Sequence, residues 1–259
     1  MSVGDSGPAA GHKRGAARSD SPADRSRLRR LKRRSKNWDE SVQQLEQLAN
    51  SPGFLRLRDE IISLAQLRDS DRALDVGAGT GLLTLAAAPQ VRQLCAIDSS
   101  PAMCSHLRSK LRRLEYGDVD VMVADATALP LQDSGVDVVL SNYCLHHLRD
   151  AGKHRALAEA HRVLAPGGRI LIGDMMFRLT LASARDRAVI GGFVSTMLRS
   201  GPAGLRRLLA NLRRLIIGRG EHPRDADWWR RALEDAGFED IAVRTFDHEG
   251  GIAHARRPG

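Results

Sequence analysis

From Trp38 onward, large apolar residues recur at spacings that mark successive elements. Val42, Leu45, Leu48 and Ala49 fall at helical spacing, and after Ser51-Pro52-Gly53 so do Phe54, Leu57, Ile61, Leu64 and Ala65, which predicts two helices in succession. The pattern then shifts to short apolar runs separated by turn residues. Arg72–Val76, Gln93–Asp98, Val119–Ala124, Val136–Ser141 and Arg169–Asp174 read as strands, and the Val-rich ones suit burial on both faces of a parallel sheet. Helical stretches lie between them: Leu82–Ala88, Pro101 to about Leu114 behind a Ser99-Ser100 cap, and Ala151–Leu164 stopping at Ala165-Pro166-Gly167-Gly168, a turn signal. Trp228–Ala236 reads as a helix ended by Gly237, with Ile241–Phe246 and Ile252–Ala255 as a closing pair of strands. Alternation of this kind predicts a doubly wound α/β sheet.

Composition changes that picture at the ends and in one insertion. Residues 1–36 carry almost no large apolar side chains and are expected to be disordered, because they cannot bury enough surface to offset ordering. Residues 1–37 hold eleven Lys/Arg against three Asp, a net of +8; residues 176–220 hold nine Arg against one Asp, again +8; the remainder carries −7 of the overall +9. Two basic segments on a mildly acidic body favour an anionic surface, either nucleic acid or membrane. Only five of the 40 basic residues are Lys, at 13, 32, 36, 110 and 153, so the arginines reflect a compositional skew as much as a binding function. Aromatics make up 4%, too few for extended base-stacking platforms. Cys95, Cys104 and Cys144 show neither paired nor metal-type spacing, so neither a disulfide scaffold nor a metal is expected, and the expected setting is reducing and cytoplasmic. The basic N-terminus lacks the apolar stretch of a secretory signal, and no apolar run approaches a membrane span.

The informative cluster is Ala73-Leu74-Asp75-Val76-Gly77-Ala78-Gly79-Thr80-Gly81. A strand ending in three alternate glycines lets the backbone approach a ligand where a Cβ would collide, and the helix behind it presents free N–H groups. Asp98 lies 21 residues beyond Gly77, at the end of the next strand, where a carboxylate can accept from ribose hydroxyls. A dinucleotide fits this turn less well, because its pyrophosphate seeks N–H donors and would be repelled by Asp75.

With these motifs the chain resembles the class I S-adenosylmethionine-dependent methyltransferases over roughly residues 70–175, with weaker support from 225 to the end. The resemblance rests on Leu-Asp-Val-Gly-Ala-Gly-Thr-Gly (74–81), Ala-Ile-Asp-Ser-Ser (96–100), Val-Ala-Asp-Ala-Thr-Ala-Leu-Pro (123–130), the run from Val136 to Leu148, and Leu-Ala-Pro-Gly-Gly-Arg-Ile-Leu-Ile (164–172). It implies a Rossmann-like, seven-stranded α/β sheet whose last hairpin adds an antiparallel strand, and S-adenosylmethionine as cofactor. The implied organisation is a basic tail (1–36), N-terminal helices (37–70), a cofactor-binding core (71–175), a helical lid insertion (176–222), and a C-terminal helix and hairpin (223–259). The implied cofactor residues are Asp75 near the ammonium, Gly77, Gly79 and Gly81 around the methionine end, Asp98 at the ribose, Asp125 at the adenine amino group with Ala126 packing nearby, and also Ala78, Ser99 and Asn142.

Methyl transfer needs an acceptor atom held about 3 Å from the methyl and, for many acceptors, a base. Asn142, Tyr143, Cys144, His146 and His147 follow the fourth strand at the carboxyl edge beside the glycine turn. His147 and His146 are candidate general bases with Tyr143 beside them; alternatively the pair caps or packs the entrance of the next helix. Cys144 lacks the Pro-Cys context of a cytosine-methylating nucleophile, and Ser141-Asn142-Tyr143 stands where enzymes that methylate exocyclic base amines carry an Asn/Asp-Pro-Pro-aromatic motif. In the insertion, Val189, Ile190, Phe193, Val194, Met197 and Leu198 form one helical stripe, and Leu205, Leu208, Leu209, Leu212 and Ile216 another. Such a basic amphipathic lid suits a lipophilic or anionic acceptor met at the inner membrane surface, and equally a lid whose arginines face water. Trp228 and Trp229 are expected to pack their helix on the sheet. The leading expectation is a methyltransferase acting on a quinone, lipid or polyketide-like molecule at O, N or C. An RNA methyltransferase anchored by its basic tail and a cofactor-binding regulator without turnover are the alternatives.

Overall fold

The computed structural model describes residues 42–178, 184–199 and 221–259. The basic tail, the stripe from Leu205 to Ile216, and the side chains of Val189, Phe193, Met197 and Leu198 lie outside the described residues. Helices α1 (Val42–Ala49) and α2 (Pro52–Ala65) lead into strand β1 (Arg72–Val76). Then come α3 (Leu82–Ala87), β2 (Gln93–Asp98), α4 (Pro101–Arg113), β3 (Val119–Val123) and β4 (Val136–Asn142). Helix α5 (Asp150–Val163), β5 (Leu164–Met175) and α6 (Ala184–Arg199) follow. The chain closes with α7 (Ala226–Asp235), β6 (Glu239–Thr245) and β7 (Gly250–Arg256).

These strands form one seven-stranded sheet in the order β3-β2-β1-β4-β5-β7-β6. The first five are parallel, while β7 pairs antiparallel with both β5 and β6. Side chains alternate between two cores, as the period of two demands. Leu74, Ile97, Val139, Ile170 and Ile172 face α5 and α7, meeting Leu157, Ala160, Trp229 and Leu233. Ala73, Leu94, Ala96, Val138, Leu140 and Leu171 face the other way, toward Ile61 of α2, Leu83 of α3, and Leu107 and Leu111 of α4. Trp229 is completely buried, as expected of a packing residue. Trp228 does more than pack, because the Lys153 ammonium lies 5.8 Å from its ring centroid.

One expected turn is part of a strand. Ala165-Pro166-Gly167-Gly168 belongs to β5, which starts at Leu164 opposite Val136 and shifts register before Val138. Partners distant in sequence account for this: Gly167 N–H donates to Arg257 O at 3.1 Å, and Arg257 N–H donates to Gly168 O at 2.8 Å. Helix α1 has a helical period but buries no residue, and Leu48 is exposed. Its anchor is polar: Lys110 Nζ on α4 donates to Glu46 Oε1 at 2.5 Å.

Arg169 fixes the exit of α2 into β1. It donates to the carbonyls of Ala65 and Gln66 and to Asp71 Oδ2, at 2.5, 3.0 and 2.6 Å. Asp71 also accepts from Arg68 N–H at 2.8 Å and is buried. Removing the guanidinium leaves a buried carboxylate uncompensated, so Arg169→Ala is expected to lower unfolding stability by about 3 kcal/mol in chemical denaturation. Arg169→Lys should recover only part of that loss, because one ammonium cannot reproduce the planar fork.

Candidate active site

Strand order reverses between β1 and β4, and in open parallel sheets ligands bind beyond the carboxyl ends of the strands at such a point. The turn after β1 lies there. Gly77 and Ala78 N–H groups both donate to Ile97 O at 2.9 Å, which anchors the turn to β2. Gly77, Gly79 and Gly81 all have positive φ, at 75°, 53° and 92°, a region that L side chains rarely enter. Their surroundings differ. A Cβ on Gly77 would lie 2.2 Å from Cys144 Sγ, and one on Gly81 would lie 2.4 Å from Leu107 Cδ1. A Cβ on Gly79 would meet nothing nearer than Gly77 O at 3.9 Å. The protein's own packing therefore demands glycine at two positions, and Gly79 alone of the three borders open space.

Asp98 clasps that turn. Its Oδ2 accepts from Gly79 N–H at 2.9 Å, and its Oδ1 accepts from Ser100 N–H at 2.8 Å. The cap of α4 is Ser100, whose Oγ accepts from Met103 N–H at 3.2 Å, so Asp98 is not spent on capping. Half-buried Ser99 lies between the two residues. Asp75 is buried and accepts a 2.6 Å hydrogen bond from Thr84 Oγ1. Burial pushes its pKa up to about 7, against the hydrogen bonds from Thr84 and with a further rise from the charge of Asp98. Asp125 closes its own turn, its Oδ1 accepting from the N–H and hydroxyl of Thr127 at 2.9 and 2.8 Å. Ala78 and Ala126 pack into the two cores on either side. At the end of β4, Asn142 Oδ1 is buried without a hydrogen-bond partner.

Tyr143 follows in a left-handed conformation, with φ 48°. Its N–H donates to Gly173 O at 2.8 Å, and its ring stacks on Phe54 of α2 with centroids 4.4 Å apart. Burial, then the charges of Glu249 and Asp174, push its hydroxyl well above the usual phenol range. The stacked pair walls this edge of the site, and the Tyr143 ring meets His146 edge-on with centroids 6.2 Å apart. The thiol of Cys144 is likewise pushed well up by burial.

The single turn Leu145–His147 brings the histidines to the site. His146 is buried against Asp174 at the carboxyl end of β5: its N–H donates to Oδ2 at 2.9 Å, and its Nδ1 lies 2.5 Å from Oδ1. A carboxylate at Nδ1 orients the ring with Nδ1–H toward Asp174 and turns Nε2 away from it. The His147 ring is half-buried, its centroid 3.9 Å from that of His146.

Sequence reasoning missed Asp174, Lys153 and the segment at His222. His222 N–H donates to His146 O at 2.7 Å. The fully buried Lys153 ammonium donates to Leu148 O at 2.5 Å and His222 O at 2.7 Å. Desolvation lowers its pKa to about 8, partly offset by the charges of Asp174 and Asp150. One signal was available: a lysine kept in a chain whose other basic residues are nearly all arginine.

The site fits an S-adenosyl group. Gly79 offers backbone that a side chain would fill, Asp98 stands beside it, and the orphaned Asn142 oxygen is an acceptor awaiting a donor. Two outcomes follow. Gly79→Ala should cost about 1 kcal/mol of stability for its backbone conformation yet reduce S-adenosylhomocysteine affinity at least about tenfold. Gly77→Ala, which meets Cys144, should destabilise the fold considerably more; calorimetry and thermal melts compare the pair. The raised pKa of Asp75 means that folding favours its protonated form. Its stability contribution is present below the unfolded value near 3.8 and is lost as pH rises toward about 7. Asp75→Asn should therefore match the parent near pH 4 and exceed its stability increasingly up to pH 7, with no further gain above; denaturation across that range measures it.

Comparison with known proteins agrees with this geometry. A methyltransferase-domain model matches residues 73–168. The chain is 33% identical over 147 residues to 27-O-demethylrifamycin SV methyltransferase of Amycolatopsis mediterranei, covering 54% of this chain and 49% of that protein. It is 30% identical over 205 residues to the ubiquinone/menaquinone biosynthesis C-methyltransferase UbiE of Cronobacter sakazakii, covering 76% of each. A SAM-dependent methyltransferase from Aquifex aeolicus superposes with a TM-score of 0.58 at 19% identity, covering 84% of this chain and 97% of that one. The chain spans about half the length of several curated relatives that it matches, 39%, 49% and 54% for three of them. The coverage shared with UbiE, together with the glycine turn and its clasp, makes this chain a member of the class I S-adenosylmethionine-dependent methyltransferases.

Proposed function

We propose that the chain methylates a small, lipophilic metabolite of quinone, lipid or polyketide-like character at an atom that must lose a proton. The observation that carries this reading is the buried Asp174–His146 pair at the carboxyl edge, beside the glycine turn. Such a pair has little use for an acceptor that is already a good nucleophile, and it suits a hydroxyl or an acidic C–H. The relatives' names point the same way, toward a rifamycin and toward quinones.

S-adenosylmethionine supplies an electrophilic methyl on a sulfonium, whose thioether departs without a proton. The chain's own residues do the rest. Gly79 and its neighbours admit the methionine end, Asp98 holds the ribose, and the Asn142 oxygen accepts from a donor group. His146 Nε2 takes the acceptor's proton while Asp174, fixed on Nδ1, stabilises the imidazolium that forms. Tyr143 and Phe54 wall the acceptor side and keep water out, so that positioning supplies much of the acceleration. Asp174 is itself held, by Met175 N–H at 2.7 Å and by His146 N–H.

An aromatic wall of Phe54 and Tyr143 favours a planar apolar acceptor over a phosphodiester backbone. Peripheral membrane association through residues 176–220 and the basic tail belongs to the same reading. RNA binding that exceeds binding to anionic liposomes at matched salt would reverse it. The functional test supplies labelled methyl donor and cell extract, and identifies the molecule that gains a methyl by mass spectrometry. On that acceptor, Asp174→Asn should reduce turnover by on the order of 10²- to 10⁴-fold, with cofactor affinity unchanged. Turnover within a few-fold of the parent removes His146 as the base.

A further inference from the structure

Among the described residues, one cluster brings together three side chains of metal-ligating type. A ring nitrogen of His146, a ring nitrogen of His147 and a carboxylate oxygen of Glu221 all lie within 4.8 Å of one another. Two imidazoles and one carboxylate are the donors of borderline-soft divalent ions; magnesium and calcium prefer sites built wholly of oxygen.

Three further observations separate this cluster from a chance meeting of polar groups. First, His146 already has the outer partner that metal-bound histidines usually have: Asp174 holds Nδ1 at 2.5 Å, which leaves Nε2 for an ion. Second, the ligands are brought together by backbone. His146 and His147 share one short turn, and Glu221 immediately precedes His222. His222 donates to His146 O at 2.7 Å and accepts from Lys153 Nζ at 2.7 Å. Third, Glu221 and Asp174 bring two carboxylates to the cluster, which the charges of Lys153, Arg149 and Arg224 around His222 partly offset. Donors around a tetrahedral ion at about 2.0–2.2 Å stand closer together than the present spread, so the side chains must draw inward. His147 is half-buried and Glu221 exposed.

We propose that His146, His147 and Glu221 form a three-ligand site for a divalent transition-metal ion of the zinc class, with its fourth position open to water or acceptor. Binding of the ion stands apart from the methyl-transfer reading. Its consequence rests on that reading, because the nitrogen lone pair that takes the ion is the one assigned to the acceptor's proton, so an ion at this site opposes proton transfer by His146.

The test uses the full chain, stripped with a chelator and titrated with cobalt(II) as the probe, followed by equilibrium dialysis and visible absorption. One cobalt per chain with the d–d bands of a four-coordinate ion is expected. Glu221→Gln and His147→Ala should each weaken binding at least about tenfold, and Asp174→Asn by about 10- to 100-fold through the outer contact. Glu221 is exposed, so its variant tests the ligand without threatening the fold. No saturable binding by the parent up to millimolar cobalt would overturn the proposal. So would binding left intact in both Glu221→Gln and His147→Ala, which places the ion on other histidines. S-adenosylhomocysteine binding by the same stripped preparation reports separately on the methyltransferase reading.

Discussion

The carboxylate of Asp98 ties two turns together. By accepting from Gly79 N–H and Ser100 N–H, it fixes the loop after β1 against the loop after β2, at the point where the strand order reverses. The three glycines of the first loop then serve two purposes. Gly77 and Gly81 yield to Cys144 and Leu107, so the loop can lie close against the turn after β4 and against α4. Gly79 leaves a gap facing outward. A carboxylate can take about four hydrogen bonds, so holding the loop and holding a sugar are compatible duties for one side chain.

The second half of the site is organised by buried charge. Asp174 is completely buried and Lys153 equally so, and His146 is buried beside Asp174. A buried charge is tolerated when it is paired and hydrogen-bonded, and each of these groups has several partners. Lys153 joins the end of the histidine turn to His222, so the loop bearing His146 is closed by one ammonium. Lys110 behaves similarly: it bonds Glu46 and, at 3.3 Å, Thr80 O in the glycine loop. An ammonium directs three donors from one compact centre to carbonyls that a guanidinium fork would not fit. That explains why two of the five lysines in an arginine-rich chain sit beside the site.

Much of this was legible in the sequence because it is local. The short apolar runs at Gln93–Asp98 and Val136–Ser141, the serine cap before Pro101, and the spacing from Gly77 to Asp98 all depend on neighbours in the chain. The identity of the oriented histidine was not legible. His146 and His147 are equivalent in sequence, and only the arrival of Asp174 from β5, 28 residues away, distinguishes them. The entry to β5 was hidden for the same reason, since Pro166-Gly167-Gly168 looks like a turn until Arg257 pairs with it. Nor could spacing reveal the role of Glu221, which reaches the histidines through contacts made by His222. Asp75 is the reverse case: its place in the motif was plain, but its burial against Thr84 was not.

Methyl transfer by this chain requires that the pocket beside Gly79 hold an adenosyl sulfonium and release its demethylated product. Titration calorimetry of S-adenosylhomocysteine into the folded full chain measures that directly. A saturable heat with one site per chain is expected. A folded chain that gives no heat of binding, at concentrations where unrelated nucleosides also give none, would contradict it.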